Sequence, residues 1–451
     1  MQEPADPAPP HLQRLLRHEW LSPLQWRRRL LFWFGAVLVA VAAIVFARLS
    51  TLAYGIFVRA TAHRAWLPLL LTPAMFALLA WLTSGALKAT RGSGIPQAMA
   101  ALQIEDEGLR HRLLSLRIAA GKMALTLAGL LAGASIGREG PTVHVGAGLL
   151  YSLGRRFGFA EPAAAGRFIL AGAAAGLAAA FNTPLAGVVF AIEEMAGAFE
   201  HRVSGIILTA VIIAGIVSLG LLGNYAYFGT VTTALPLGQS WLAVLLCGVL
   251  CGLAGGLFAR VILLSGTALS RVASLRARWP IPFAAACGLA LALIGLASAG
   301  SVYGTGYDQA RAILQSAAAP GAGFGGYKFL ANIVSYWAGI PGGIFSPALA
   351  VGAGLGHNIA HLLPGSPAAA VVLLGMAGYL AGVTQAPLTS AIISMELTAN
   401  QAMIIPILAV CLIARASSAL FCPVPVYRAF AQRLVAEHEG SGQPAREETG
   451  R

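Results

Sequence analysis

Glu139, Glu193, Glu194 and Glu396 lie inside apolar sequence, and Asp308 lies in a glycine-rich segment nearby. The chain has only 17 acidic residues among 451, so acids in apolar surroundings carry information. A lone carboxylate in hydrocarbon is costly; such a group is protonated, paired, or open to a water-filled path. The alternative is a structural acid satisfied by backbone amides or a buried base. For Glu193 and Glu396 both readings stay open, whereas the surroundings of Glu139 favour chemistry.

Those surroundings are Gly137-Arg138-Glu139-Gly140-Pro141, which opens an apolar segment with a proline suited to a first helical turn. The glycines let backbone come close to a ligand. Free N–H groups and the helix dipole then make an anion site. A carboxylate placed there can occupy the site itself and leave when protonated, acting as gate and proton carrier at once. Gly92-Ser93-Gly94-Ile95-Pro96 repeats the design, and Gly342-Gly343-Ile344-Phe345-Ser346-Pro347 is a third case. One such motif is weak, because Gly and Pro also mark ordinary membrane helix ends. Three converging half-helix N-termini would hold a dehydrated anion without a full positive charge. A fixed lysine there would bind too tightly for fast turnover.

The elements that must position these motifs are membrane helices. The chain is 57% hydrophobic and 10% charged, with 53 glycines, against about a quarter charged in a soluble protein. Water could not solvate such a surface, so a bilayer must cover it. The net charge of +13 does not point to nucleic acid, since no arginine cluster is interleaved with aromatics. Arg14, Arg17, Arg27, Arg28 and Arg29 precede the first apolar run, which predicts a cytoplasmic N-terminus. Residues 1–29 suit a cytoplasmic segment with an interfacial helix, and 30–425 a transmembrane domain. Residues 426–451 read as a short polar cytoplasmic tail, too short for a regulatory domain. Residues 30–50 are too long for a signal-peptide core. Residues 66–87, 203–222, 241–264 and 281–299 are also long enough to span. By contrast, 118–134, 143–153, 168–180, 185–195 and 349–363 are short or broken, as half-helices around a binding site are.

The domain is duplicated, with one repeat at about 30–226 and the other at about 241–425. Val145-Gly146-Ala147-Gly148-Leu149 recurs as Val351-Gly352-Ala353-Gly354-Leu355; Lys122 and Lys328, and Pro141 and Pro347, share the same offset of 206. Gly172 with Gly375, Pro184 with Pro387 and Glu193 with Glu396 share an offset of 203. Upstream, Gly92-Ser93-Gly94 with Gln97 matches Gly304-Thr305-Gly306 with Gln309. Chance explains single matches in Ala/Gly-rich helices but not an ordered series. A site at the repeat interface follows, although spacing alone does not say whether the repeats are inverted.

The three motifs, together with Phe181-Asn182-Thr183-Pro184-Leu185-Ala186-Gly187 and Glu193-Glu194, resemble the signatures of the CLC chloride channel and transporter family. The resemblance runs from the first apolar run to the tail. It implies an all-α polytopic fold with two inverted repeats and discontinuous helices, assembled as a homodimer in a cell inner membrane. It implies that the Ser93 hydroxyl, the amides of Ile344 and Phe345 and the Tyr427 hydroxyl hold chloride. Glu139 corresponds to the gating glutamate, and Glu194 to the inner proton glutamate that exchangers carry and typical channels lack. The function implied is exchange of chloride for protons, with no cofactor, chloride being the substrate. A passive chloride channel and a fluoride/proton exchanger are the alternatives. Ser93 matches the chloride-type branch, nitrate-preferring relatives tending to carry proline there. The resemblance requires no particular residue at Ser346 or His144.

Three other patterns carry less. Gly133-Ala134-Ser135-Ile136-Gly137 fits a nucleophile elbow but lacks strand–turn–helix context and partners, so no enzyme is expected. His357 and His361 share a helix face without a third metal ligand. The five cysteines form no C-x-x-C and read as packing residues.

Overall fold

The computed structural model describes residues 23–196, 205–236, 238, 241–266, 270–316 and 320–442. Of the segment 1–29 expected to carry an interfacial helix, residues 1–22 lie outside them, and 23–29 open the first long helix instead. Helices follow one another throughout. The first half runs α1 (Pro23–Thr61), α2 (Leu67–Leu82), α3 (Ile95–Gln103), α4 (Glu107–Leu114), α5 (Leu116–Leu131), α6 (Glu139–Arg156), α7 (Pro162–Phe181), α8 (Pro184–Phe190, continued by a wider turn over Ala191–Met195) and α9 (Gly205–Leu222). The second runs α10 (Leu242–Leu264), α11 (Arg271–Arg278), α12 (Pro280–Ala297), α13 (Tyr307–Leu314), α14 (Phe324–Trp337), α15 (Phe345–Leu362), α16 (Ala368–Thr384), α17 (Pro387–Thr398), α18 (Ile404–Ala419) and α19 (Val426–Gly442).

Local chemistry sets many of these boundaries. Proline stands in the first turn of α2, α3, α7, α8, α12 and α17, where its missing N–H would have had no partner anyway. Among the described residues, six helices are long and apolar enough to cross a membrane by length and composition. At 1.5 Å per residue the nine residues of α3 reach only about 14 Å, roughly half a bilayer core. Such a helix ends inside the protein. The long helices divide by burial: α7 is buried nearly all round, whereas α2 and α12 turn residues such as Leu70, Trp81 and Leu293 outward. An apolar surface of this kind needs lipid against it.

Three departures from the expected spans matter. The stretch 168–180, expected to be short, lies inside α7, which is long and apolar enough to cross. The segment 66–87 is helical only to Leu82; the chain then turns through a short 3₁₀ stretch at Lys88–Thr90 and delivers Ser93 to the start of α3. The region read as a polar tail from 426 onward begins instead as α19, with Val426, Tyr427 and Ala431 buried. Apolar residues within an otherwise polar segment give it one face to pack.

The two halves contact each other as a two-fold requires. Glu193 accepts from the amides of Leu388 (3.1 Å) and Thr389 (2.6 Å), while Glu396 accepts from Leu185 (3.2 Å) and Ala186 (2.6 Å). Each contact is the other shifted by 203 residues with the partners exchanged, the signature of an isologous interface. Gly137 and Gly343, themselves equivalent, exchange both N–H···O bonds at 2.7 and 2.8 Å. The pseudo-two-fold axis therefore passes through that bridge. Smaller features repeat too. Asn182 ends α7 with φ 58° and its equivalent Gln385 ends α16 with φ 60°. A Cβ on Gly146 would lie 2.2 Å from the Gly172 carbonyl oxygen, and one on Gly352 would lie 2.5 Å from that of Gly375. Those glycines let α6 lie against α7, and α15 against α16, at backbone contact.

Candidate anion and proton site

Three helix N-termini are tied together at the axis. Gly342 N–H donates to the Gly92 carbonyl at 3.1 Å, linking the approach to α15 with the approach to α3. The Gly137–Gly343 bridge links the approach to α15 with the approach to α6. Lys122 completes the frame: its Nζ, fully buried, donates to the carbonyls of Thr90 (2.6 Å) and Gly92 (2.8 Å). The lysine thus shapes the Ser93 loop through carbonyls. Lys328, its equivalent, donates to Val302, Gly304 and Ser135 Oγ at 2.8–2.9 Å.

Ser93, Ile344, Phe345 and Tyr427, expected to share one ligand, do come together. Ser93 and Tyr427 are 2% and 1% exposed, and neither hydroxyl has a hydrogen-bond partner. The two hydroxyls stand within interaction range of each other. Ring planes of Phe345 and Tyr427 lie 4° apart with centroids 6.5 Å apart, which places α19 over the N-terminus of α15. Ile344 caps α15 and Phe345 begins it, and amides of a first helical turn have no intrahelical acceptor. Buried donors left unpaired are costly. One anion at the helix N-terminus would accept from both hydroxyls at once. Gly140 is needed for this approach, since a Cβ there would lie 2.2 Å from Ser93 Oγ.

Glu139 begins α6 and is fully buried. Ser346 Oγ donates to its Oε1 at 2.5 Å, while Oε2 has no partner. Arg138 Nε is 4.0 Å from Oε1. The guanidinium is held elsewhere, by the Ala47 carbonyl at 2.7 Å and over the Tyr227 ring at 5.9 Å from its centroid. A carboxylate with one short bond and one empty oxygen is positioned but not locked. Sequence reading missed Ser346 and Tyr227 here. Ser346 lay within the third motif and its hydroxyl was visible; Tyr227 sits in a loop between α9 and α10 with no periodic signal.

The adjacent glutamates divide. Glu193 caps α17 and Glu396 caps α8 through backbone amides, the partners that the structural reading asks for. Glu194 turns inward from the wider turn after α8, 7% exposed, within electrostatic reach of Arg428 and Tyr427. A cavity of about 580 Å³ leads to Ser93 from the face carrying α4, α11 and α19. Asp308 lies apart, on α13 in a separate cavity with Tyr54 and Tyr303. His357 and His361 face each other at 3.2 Å near the end of α15, and no group of three or more metal-binding side chains occurs among the described residues.

Known proteins share this sequence pattern and fold. The sequence profile of the family described as voltage gated chloride channel matches residues 75–419. The H(+)/Cl(−) exchange transporter ClcA of Cronobacter sakazakii is 33% identical over 410 residues, covering 85% of this chain and 84% of that protein. ClcA of Klebsiella pneumoniae is 32% identical over 364 residues, 77% and 75% of the two chains. Among solved structures, a slow cyanobacterial Cl⁻/H⁺ antiporter superposes with a TM-score of 0.77 at 24% identity, over 92% of this chain and 99% of that one. A CLC-type fluoride/proton antiporter gives 0.77 at 23%, over 90% and 99%. These structural likenesses carry the fold.

Proposed function

The chain belongs to the voltage-gated chloride channel (CLC) family, and from that footing we propose that it exchanges chloride for protons across a membrane. Relatives named as exchangers at about one-third identity support a transporter rather than an enzyme. In this reading chloride sits between the Ser93 and Tyr427 hydroxyls and the first amides of α15 at Ile344 and Phe345. Partial charges suffice for it, and they leave it free to depart.

Protons need titratable groups. Glu139 stands at the N-terminus of α6, where an anion would compete with its carboxylate, so chloride occupancy and release of Glu139 are linked. Protonation removes the charge that holds the side chain against the helix end. Glu194 takes protons from the face with α19 and passes them toward Glu139. The site sits at the two-fold between the repeats, and the assembled unit is a homodimer with one pathway per chain. No cofactor enters the cycle. The face carrying α4, α11 and α19 is rich in Lys and Arg, which supports a cytoplasmic assignment in an inner membrane.

The observation that carries the reading is Glu139 itself: a buried carboxylate with a single hydrogen bond at the meeting point of three helix N-termini. A passive channel would need no inward-facing Glu194. A fluoride exporter on this fold is the other reading, and it is disfavoured by Ser93 and by the intact Gly137–Pro141 motif. The test is proton flux into liposomes holding the purified protein, with a chloride gradient, no pH gradient, and voltage clamped by valinomycin with equal potassium. Uphill proton movement driven by chloride, and not by fluoride alone, is expected. Chloride flux without proton movement would overturn exchange.

A further inference from the structure

The cavity that leads to Ser93 holds more positive charge than a monovalent anion needs. Lys88, Arg91, Arg112, Arg117, Arg276 and Arg433 line it, against Glu437 as the single acid. Among the described residues the ion pairs are Arg138–Glu139 and Arg155–Glu107, and neither neutralises this cavity.

Three of the cations line the same cavity beside Tyr336. Arg91, Arg276 and Arg433 are half-buried. Arg276 lies against Gly339 and Arg433 against Gly266, where a Cβ would be 2.6 Å and 2.4 Å from the respective guanidinium nitrogens; Arg433 also donates to the Leu263 carbonyl at 2.9 Å and lies over the Phe430 ring. Tyr336 lies within electrostatic reach of both arginines. Its hydroxyl is 3.9 Å from where a Gly92 Cβ would stand, one residue from Ser93. Arg91 and Arg276 face one another closely enough to repel. Like charges held together at half-burial, with no carboxylate between them, ask for a multivalent anion. Arginine forks match phosphate oxygens in pairs. Beside them, the Tyr336 and Phe430 rings lie 5.5 Å apart at 34°, offering an aromatic wall.

We propose that this cavity is a regulatory site for a diphosphate-bearing anion, held by Arg91, Arg276 and Arg433, which closes the chloride route to Ser93. Its volume of about 580 Å³ is within the range of small-ligand sites. The chemistry is shared by inorganic pyrophosphate and nucleoside diphosphates; the aromatic wall would distinguish them. Inhibition rests on the proposed route of chloride, but binding does not, so the two are measured separately.

Calorimetry on the detergent-purified protein would titrate pyrophosphate and ADP, with sulfate at matched ionic strength as control. The expected result is one diphosphate per chain, with Arg276→Gln/Arg433→Gln weakening it by at least ~100-fold, the scale of two lost charge-assisted contacts. Liposome flux, normalised to each variant's own uninhibited rate, should then fall with diphosphate on this face alone. Tighter binding of ADP than of pyrophosphate would assign a nucleotide, and equal binding the diphosphate alone. No binding, binding matched by sulfate, or binding unchanged in the double variant would overturn the proposal. Binding without loss of flux would overturn the closure of the route while leaving exchange untouched.

Discussion

Replacing Glu139 by Gln should abolish proton movement and tighten chloride binding in the same protein. The carboxylate now accepts one hydrogen bond from Ser346 and lies fully buried at the head of α6. A hydrogen bond to a charged group contributes about 1.5–3 kcal/mol and one between neutral groups about 0.5–1.5 kcal/mol. Loss of the negative charge at the helix N-terminus removes about 0.3–1 kcal/mol more. The neutral amide therefore competes for the anion position with about 2 kcal/mol less than the carboxylate. Chloride should gain roughly 30-fold in affinity. Calorimetric chloride titration of wild type and Glu139→Gln measures that gain, and liposome flux measures coupling. The reasoning is refuted if the variant still drives protons uphill, or if chloride binds no more tightly than before.

Glu194→Gln should also stop proton movement, yet leave chloride affinity within about threefold, since the residue does not hold the anion; a large affinity change would place it in the anion site instead. Gly140→Ala should lower chloride affinity at least ~10-fold by driving Ser93 Oγ away from the 2.2 Å its new methyl would require; unchanged titration would mean Ser93 is not a ligand. Glu396→Ala strips the acceptors from two α8 amides and should lower stability by about 2–4 kcal/mol. Its proton-to-chloride ratio should stay unchanged in flux assays, and a shifted ratio would make Glu396 part of the proton route.

What the sequence disclosed depended on how local the signal was. Helix starts are local: glycine, a polar residue (Ser93, Glu139 or Ser346) and proline within five residues announced the N-termini of α3, α6 and α15. The duplication was legible because equivalent residues keep equivalent jobs, as Lys122 and Lys328 do at their carbonyls. The division of Glu193 from Glu194 was not legible. Successive residues on a helix point roughly 100° apart, and only the packing of α8 against α17 decides which carboxylate meets an amide. Tyr427 stands alone in a polar-looking segment, so no spacing forecast that α19 would fold its hydroxyl beside Ser93. Ser346 was visible, but its bond to Glu139 crosses between repeats, 207 residues apart. Contacts across the two-fold are what a one-dimensional pattern hides.

Under the proposed exchange, the two-fold accounts for how one scaffold would serve two ions. Gly137 and Gly343 meet on the axis, so the residues after them occupy equivalent places at the heads of α6 and α15. Two positions on from each glycine the halves differ: Glu139 in one, Phe345 in the other. An unmodified duplication would offer two identical anion sites, one toward each face, and nothing to couple their occupancy to a second ion. A carboxylate at one helix head makes that site competitive between its own charge and the substrate. An aromatic at the other, stacked on Tyr427, leaves the amides and the Ser93 hydroxyl free for chloride. Proton dependence then enters through one side alone. Moving the asymmetry should move the property: Phe345→Glu would place a second competing carboxylate at the inner site and should suppress chloride binding there. Glu139→Phe should leave a site that conducts without coupling, or one that is closed to anions, but in neither case one that pumps protons.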